Sequence, residues 1–373
     1  MGMGLGPAGM AQSSATGAQS KGLAPQPGQA AEAVFKNIQV LNGMPATELQ
    51  GAMSFIASSL GVDCDYCHNQ NFDSDKAAAK LRAREMILMV RRINAETFQG
   101  KNVVNCYTCH QGSTTPVAMA AILMAHAPRP AAPAAAGNAA TANLLPGETL
   151  PTVAQLLDHY VAALAGQAAL DAVKTRVMKT APLGRPSTEK SVDELYQKAP
   201  GKVLAFHQSE GYTLWAGFNG KQAWAQDSEK SYWGLLNDSE LHSVMRDSEM
   251  YAGSRVRSEY KDVVVTGKEK IGERAVYVIA GTAQEGAREK FYFDKGTGLL
   301  LRRHIEEPTV FGWFPMDFDF EGYREVDGVK IPFVVRLTSA GGAWGVRTSR
   351  VVIDVKQNVA IEDEKFERPA GGK

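Results

Sequence analysis

The sequence predicts a multi-domain protein: a mostly α segment bearing two C-x-x-C-H pentapeptides, followed by an α+β antiparallel half-barrel. Three observations predict this. Apolar residues recur at helical spacing from about Ala31 to Thr115. An Ala/Pro tract, opening at His126-Ala127-Pro128-Arg129-Pro130 and running to about Leu150, then interrupts all periodicity. Beyond one further amphipathic helix the period changes to two, with turn dipeptides between the runs. The 373 residues suffice for a core in each part.

The expected order begins with residues 1–31, a leader remnant followed by disordered chain. Ala8-Gly9-Met10-Ala11 looks like the small-residue end of a signal peptide, and residues 12–31 are rich in Ala, Gln, Gly and Ser. Residues 32–127 form the helical domain. Within it, Thr47 to Leu60 reads as a helix capped by Thr47, with Leu49, Met53, Ile56 and Leu60 on one face. A second helix is expected over 75–99, and a short apolar one over 116–126. Residues 128–150 are a linker, and 151–369 the second domain.

That second domain opens with an expected helix from Thr152 to Thr180. Tyr212–Phe218, Asn219-Gly220 and Lys221–Gln226 then form a strong hairpin signal. Glu289–Phe293 and Leu299–Arg303, joined by Asp294-Lys295-Gly296-Thr297-Gly298, form another. Further strands are expected at 261–266, 273–281, 316–325, 330–338 and 345–354, with a short helix near 238–250. Trp215, Trp224, Trp233 and Trp313 read as core or cavity lining. Asp317 and Asp319 share one face of a strand, while His159, His207, His242 and His304 show no metal-site spacing.

Balanced charge, Lys+Arg 40 against Asp+Glu 40, gives no reason to expect a nucleic-acid partner. No apolar run approaches the roughly 18 residues of a transmembrane helix.

The chemistry lies in the cysteines. All four fall in Cys64-Asp65-Tyr66-Cys67-His68 and Cys106-Tyr107-Thr108-Cys109-His110. C-x-x-C-H is the attachment sequence of a c-type haem: two thiols add to the vinyl groups, and the adjoining imidazole binds iron from one face. Two disulfides, a zinc site or a dithiol are the alternatives. None requires His after both pairs, and with 7 His in the chain chance gives that in about 4 of 10,000 cases. Two covalent haems c per chain are therefore expected. Such attachment takes place outside the bacterial cytoplasm, so the expected location is periplasmic or secreted.

Each haem has a second axial position. Met53, 15 residues before His68, stands on a helix that can fold back over the first haem; Met86 and Met89 precede the second motif, and His126 is a further alternative. Arg82, Arg84, Arg91 and Arg92 are candidates to pair with propionates.

Residues 34–116 resemble one half of the tetrahaem cytochrome subunit of bacterial photosynthetic reaction centres. The matching stretches are GAMSFIASSLGVDCDYCHN (51–69), AREMILMVRRIN (83–94) and VVNCYTCHQGSTTP (103–116). The resemblance implies Met53 and His68 on the first iron, and Met86 and His110 on the second. The chain departs from the family at Gln111, where Arg is usual, and at Gly100, where no interhaem histidine stands; the other haem pair is absent. A stand-alone dihaem module is what the resemblance implies.

FYFDKGTGLLLRR (291–303), DFEGYREVDGVKIPFVVRLTS (319–339) and FERP (366–369) resemble LolA/LolB-like half-barrels, which often enclose an apolar cavity. The expected function is single-electron transfer between redox protein partners, the second domain docking a partner or holding an apolar ligand. A dihaem peroxidase or oxidase with one open haem, and a lipid or quinone carrier with a haem sensor, are the alternatives.

Overall fold

The computed structural model describes residues 28–68, 72–116, 149–183, 192–209, 211–228, 233–235, 244–246, 248–284, 286–339 and 349–369. The expected leader, residues 117–126 of the helix expected over 116–126, and nearly all of the 128–150 tract lie outside the described residues. Of the expected short helix near 238–250, residues 244–246 and 248 are described and are helical.

The described residues of the N-terminal part hold five α-helices: α1 (Ala31–Val34), α2 (Leu49–Leu60), α3 (Asp65–His68), α4 (Ala78–Thr97) and α5 (Cys106–His110). Ala31 is fully buried and its N–H donates to the Met44 carbonyl. Thr47 does not cap α2. It lies inside a 3-10 turn, Ala46–Glu48, and Glu48 stands at the N-cap without a side-chain bond. The helix ends at Gly61 (φ 68°), whose N–H reaches back to the Ala57 and Ser58 carbonyls. A methyl group here would lie 2.2 Å from the Gly112 carbonyl oxygen. Glycine thus lets the end of α2 close onto the chain leaving the second pentapeptide. Leu41, Met44, Ala52, Phe55, Ile56 and Ile87 form the core.

The second part begins with α6 (Val153–Leu164), capped by Thr152 in a capping box with Gln155. The single helix expected to Thr180 is three elements. Ala165 and Gly166 (φ 87°) end α6, a short α7 spans Gln167–Ala172, and β1 begins at Thr175. The β-branched Val173, Thr175 and Val177 favour a strand there over continued helix.

Among the described residues the strands are β1 (Thr175–Pro182), β2 (Val192–Lys198), β3 (Lys202–Ser209), β4 (Tyr212–Phe218), β5 (Ala223–Asp227), β6 (Trp233–Leu235), β7 (Tyr260–Ile271), β8 (Arg274–Ala283), β9 (Arg288–Asp294), β10 (Leu300–Thr309), β11 (Gly312–Glu321), β12 (Arg324–Val326), β13 (Val329–Ile331), β14 (Val334–Ser339) and β15 (Arg350–Gln357). All but β12 and β13, which pair with each other, make one antiparallel sheet in the order β6-β5-β4-β3-β2-β1-β15-β14-β11-β10-β9-β8-β7. The Asn219-Gly220 and 294–298 hairpins form as expected. β2 and β3 were not expected. Leu156, Leu157, Tyr160 and Leu164 of α6 pack on Ile279, Phe291, Phe293 and Leu300, so one helix covers one face of the sheet. This is the α+β half-barrel.

Trp224 is buried in a small core under Phe366, but Trp313 is 42% exposed, with the Arg288 guanidinium 3.8 Å from its ring centroid. The carboxylates of Asp317 and Asp319 are both held by Arg302, and Asp317 also accepts from His304 Nδ1 at 2.7 Å.

The two parts touch through the β10–β11 turn. Phe311, 5% exposed, enters the helical core, and Val310 accepts a hydrogen bond from Asn102 Nδ2 at 2.8 Å.

Candidate haem-attachment site

The first pentapeptide follows the Gly61 turn and forms α3; the second forms α5. Asn105 caps α5, accepting from the Thr108 N–H, while Thr108 Oγ1 accepts from the Asn105 N–H. The C-x-x-C spacing therefore sits on one turn of helix, which brings both thiols to the same end. Buried Asn94 of α4 accepts from the Val103 and Val104 N–H groups and donates to the Val104 carbonyl, pinning the approach to α5.

All four thiols are free. Burial, with Asp63 and Asp65 beside it, pushes the Cys64 thiol up to about 11; burial also raises Cys67 and Cys106. Among the described residues no three His, Cys, Asp or Glu side chains converge as a metal-binding group.

The histidines suit iron ligation. His110 Nδ1 lies 2.9 Å from the Ser113 carbonyl oxygen, which can only accept, so Nδ1 carries the proton and Nε2 keeps its lone pair. Burial, then the nearby Lys80 ammonium, lowers the affinity of His68 for a second proton, leaving a neutral imidazole at pH 7. Its ring packs 4.7 Å from Phe72, and Lys80 closes the loop by donating to the Phe72 and Ser74 carbonyls.

Met53, Ala57 and Leu60 form a half-buried stripe on α2, running toward the turn that delivers Cys64. Yet α2 packs chiefly on α5, and Met53 and Cys106 border the same core. Helix α4 borders both pentapeptides and carries Met86, Met89 and Ile93 half-buried beside its buried Ile87 and Val90. Tyr66, Leu81, Leu88 and Tyr107 are exposed nearby. With no disulfide joining the four cysteines and with a lone pair kept on His110 Nε2, these residues fit covalently attached haem. Such a group, when bound, supplies one-electron iron chemistry.

The arginines are less available than expected. Arg84 pairs with Asp75 at 2.9 Å, Arg82 with Glu85, and Arg91 donates to the Val40 carbonyl; Arg92 is exposed.

Comparison with known proteins agrees on this part of the chain. It is 42% identical over 85 residues to cytochrome c-554 of Chloroflexus aurantiacus, covering 21% of this chain and 20% of that protein. It is 32% identical over 98 residues to the photosynthetic reaction center cytochrome c subunit of Rubrivivax gelatinosus, covering 25% and 27%. The chain thus spans about a fifth to a quarter of the length of these curated relatives. Among solved structures, a LolA superfamily protein from Nitrosomonas europaea is 12% identical at a TM-score of 0.38, covering 59% of this chain and 99% of that one. A DUF1329 family protein from Desulfovibrio piger is 17% identical at a TM-score of 0.38, covering 58% and 98%. The family model described as photosynthetic reaction centre cytochrome C subunit matches residues 8–194. With half of its length so matched, this chain belongs to the family of photosynthetic reaction centre cytochrome c subunits.

Proposed function

We propose that the protein is a dihaem c-type electron carrier of the periplasm or another extracytoplasmic space. One haem is attached through Cys64 and Cys67, the other through Cys106 and Cys109. His68 and His110 are the proximal ligands, Met53 and Met86 the distal ones, with Met89 and His126 as the alternatives. Residues 32–127 make up the haem domain, 128–150 the linker and 151–369 the half-barrel. Electrons pass singly to and from redox protein partners, so the protein is no enzyme in this reading.

The observation that carries the proposal is the state of the imidazoles. Each follows a C-x-x-C turn with free thiols; Ser113 fixes the tautomer of His110, and burial keeps His68 neutral. Distal methionines stabilise ferrous iron and raise the potential. Availability of methionine to both irons also disfavours an open peroxidase site. Among the described residues no helix is long and apolar enough to cross a membrane.

The deciding experiment is a pyridine haemochrome assay on purified protein. Two haems c per chain, retained through acid-acetone extraction, are expected. One haem, or haem that extracts, overturns the reading.

A further inference from the structure

Between α6 and the sheet lies a cavity of about 110 Å³, with walls that include Leu164, Met178, Leu195, Ile305, Phe318 and Val352. Its cations outnumber its partners. The carboxylates of Glu249, Glu289 and Glu307 are engaged by Arg303 and Arg246. Arg176 on β1 also lines the cavity, is only 2% exposed, and has no carboxylate partner among the described residues.

The Arg176 guanidinium is held firmly without being neutralised. Nη1 donates to the Met250 carbonyl at 2.7 Å, Nη2 to Gln357 Oε1 at 3.2 Å, and the group lies 4.8 Å over the Tyr251 ring. Its Nε is buried with no hydrogen-bond partner. A guanidinium has five N–H donors, so most of its capacity is unspent in a place where an unpaired charge is costly. Arg350, at the same cavity, likewise has no carboxylate partner among the described residues. Burial depresses the pKa of Arg176, consistent with a charge that has no counter-ion.

We propose that this cavity binds a compact organic monocarboxylate, its carboxylate taken by Arg176 with help from Arg350 and its apolar body laid among Leu164, Leu195 and Val352. The size follows from the volume: an apolar cavity of about 150 Å³ holds benzene, so about 110 Å³ takes a smaller body, on the order of two or three carbons. A long acyl chain does not fit. The site is independent of the haems.

Isothermal titration of the full-length holoprotein tests this, with propionate as the probe and propan-1-ol and inorganic phosphate as controls. Propionate should bind one to one, and propan-1-ol about tenfold or more weakly, because it lacks the charge. Arg176→Gln should lose about tenfold or more in propionate affinity while leaving propan-1-ol unchanged. Leu195→Trp, which fills the cavity, should abolish both. Equal affinity for propionate and propan-1-ol overturns the proposal, as does phosphate competing on equal terms. Should Arg176→Gln fail to fold, the wild-type comparison and Leu195→Trp still decide: propionate binding that survives the tryptophan overturns the assignment.

Discussion

Phe55 of α2 and Phe311 of the β10–β11 turn stack with ring centroids 6.3 Å apart and planes 29° from parallel. One ring belongs to the haem-motif part and the other to the half-barrel, so the two parts share a core. Gly312 sits at φ 147°, and a Cβ there would crowd the Phe55 ring and Asn105 Nδ2 at 3.1–3.2 Å. Proteolysis in the 128–150 tract should therefore cut the chain without separating the pieces. Phe311→Ala removes a contact of about 3 kcal/mol or more. Size-exclusion chromatography of the nicked protein should show one peak for the native chain and two for the variant. Separation of the native pieces would place the interface below what holds the parts together.

Ligation is the second test. Met53→Ala should remove the weak near-infrared sulfur-to-iron band of one haem, lower its potential or open it to carbon monoxide, and leave attachment intact. Met86→Ala should do the same to the other haem. Met89 lies one turn further along the same flank of α4, so it can substitute; the Met86/Met89 double variant exposes any exchange. If neither methionine of α4 matters and His126→Ala does, the second haem is bis-His.

Local signals were legible and distant ones were not. The two pentapeptides, Asn219-Gly220 and the 294–298 turn are each contained in a few residues. The Asn105-x-x-Thr108 capping box was equally visible in principle, because an N-cap residue followed by its N3 partner is a local pattern. β2 escaped because Val-Asp-Glu-Leu-Tyr-Gln-Lys has no apolar alternation; Asp193 instead pairs across strands with His207. Phe311 carried no signal, since its neighbour Phe55 lies far away in sequence. Asn94 and Arg176 carried no signal either. Each looks like an ordinary polar residue until packing buries it.

His304 offers a test by pH. Its hydrogen bonds to Asp317 and then Glu306 push the imidazole up to about 9, and both carboxylates are lowered in return. A histidine whose pKa is raised by folding contributes its full stability below its unfolded value near 6.5 and loses it as pH rises through 9. The melting temperature of the wild-type protein should therefore fall between pH 7 and 10 more steeply than that of His304→Gln. Parallel curves would mean that the pair adds nothing to folding.

The buried cluster around Arg303 gives the largest expected effect. Arg303 Nε donates to Glu289 Oε2 at 2.6 Å and Nη2 to Tyr260 Oη at 2.7 Å, while Tyr260 Oη donates to the same carboxylate at 3.0 Å. Glu249 stands 3.6 Å from Nη1. Burial pushes Glu249 up to about 6 even with Arg303 beside it. Arg303→Met leaves buried Glu249 without its cation and Glu289 with only Arg246, 3.8 Å away, a loss of about 3–5 kcal/mol. Because protonation relieves an unpaired buried carboxylate, stability lost to this charge is present below the unfolded value near 4.5 and disappears as pH rises through the raised one. The deficit of Arg303→Met should consequently be smaller at pH 5 than at pH 8. Adding Glu289→Leu should recover part of it by removing one stranded charge. Thermal unfolding of the three proteins at both pH values measures this, and a deficit independent of pH would assign the cost to lost packing instead.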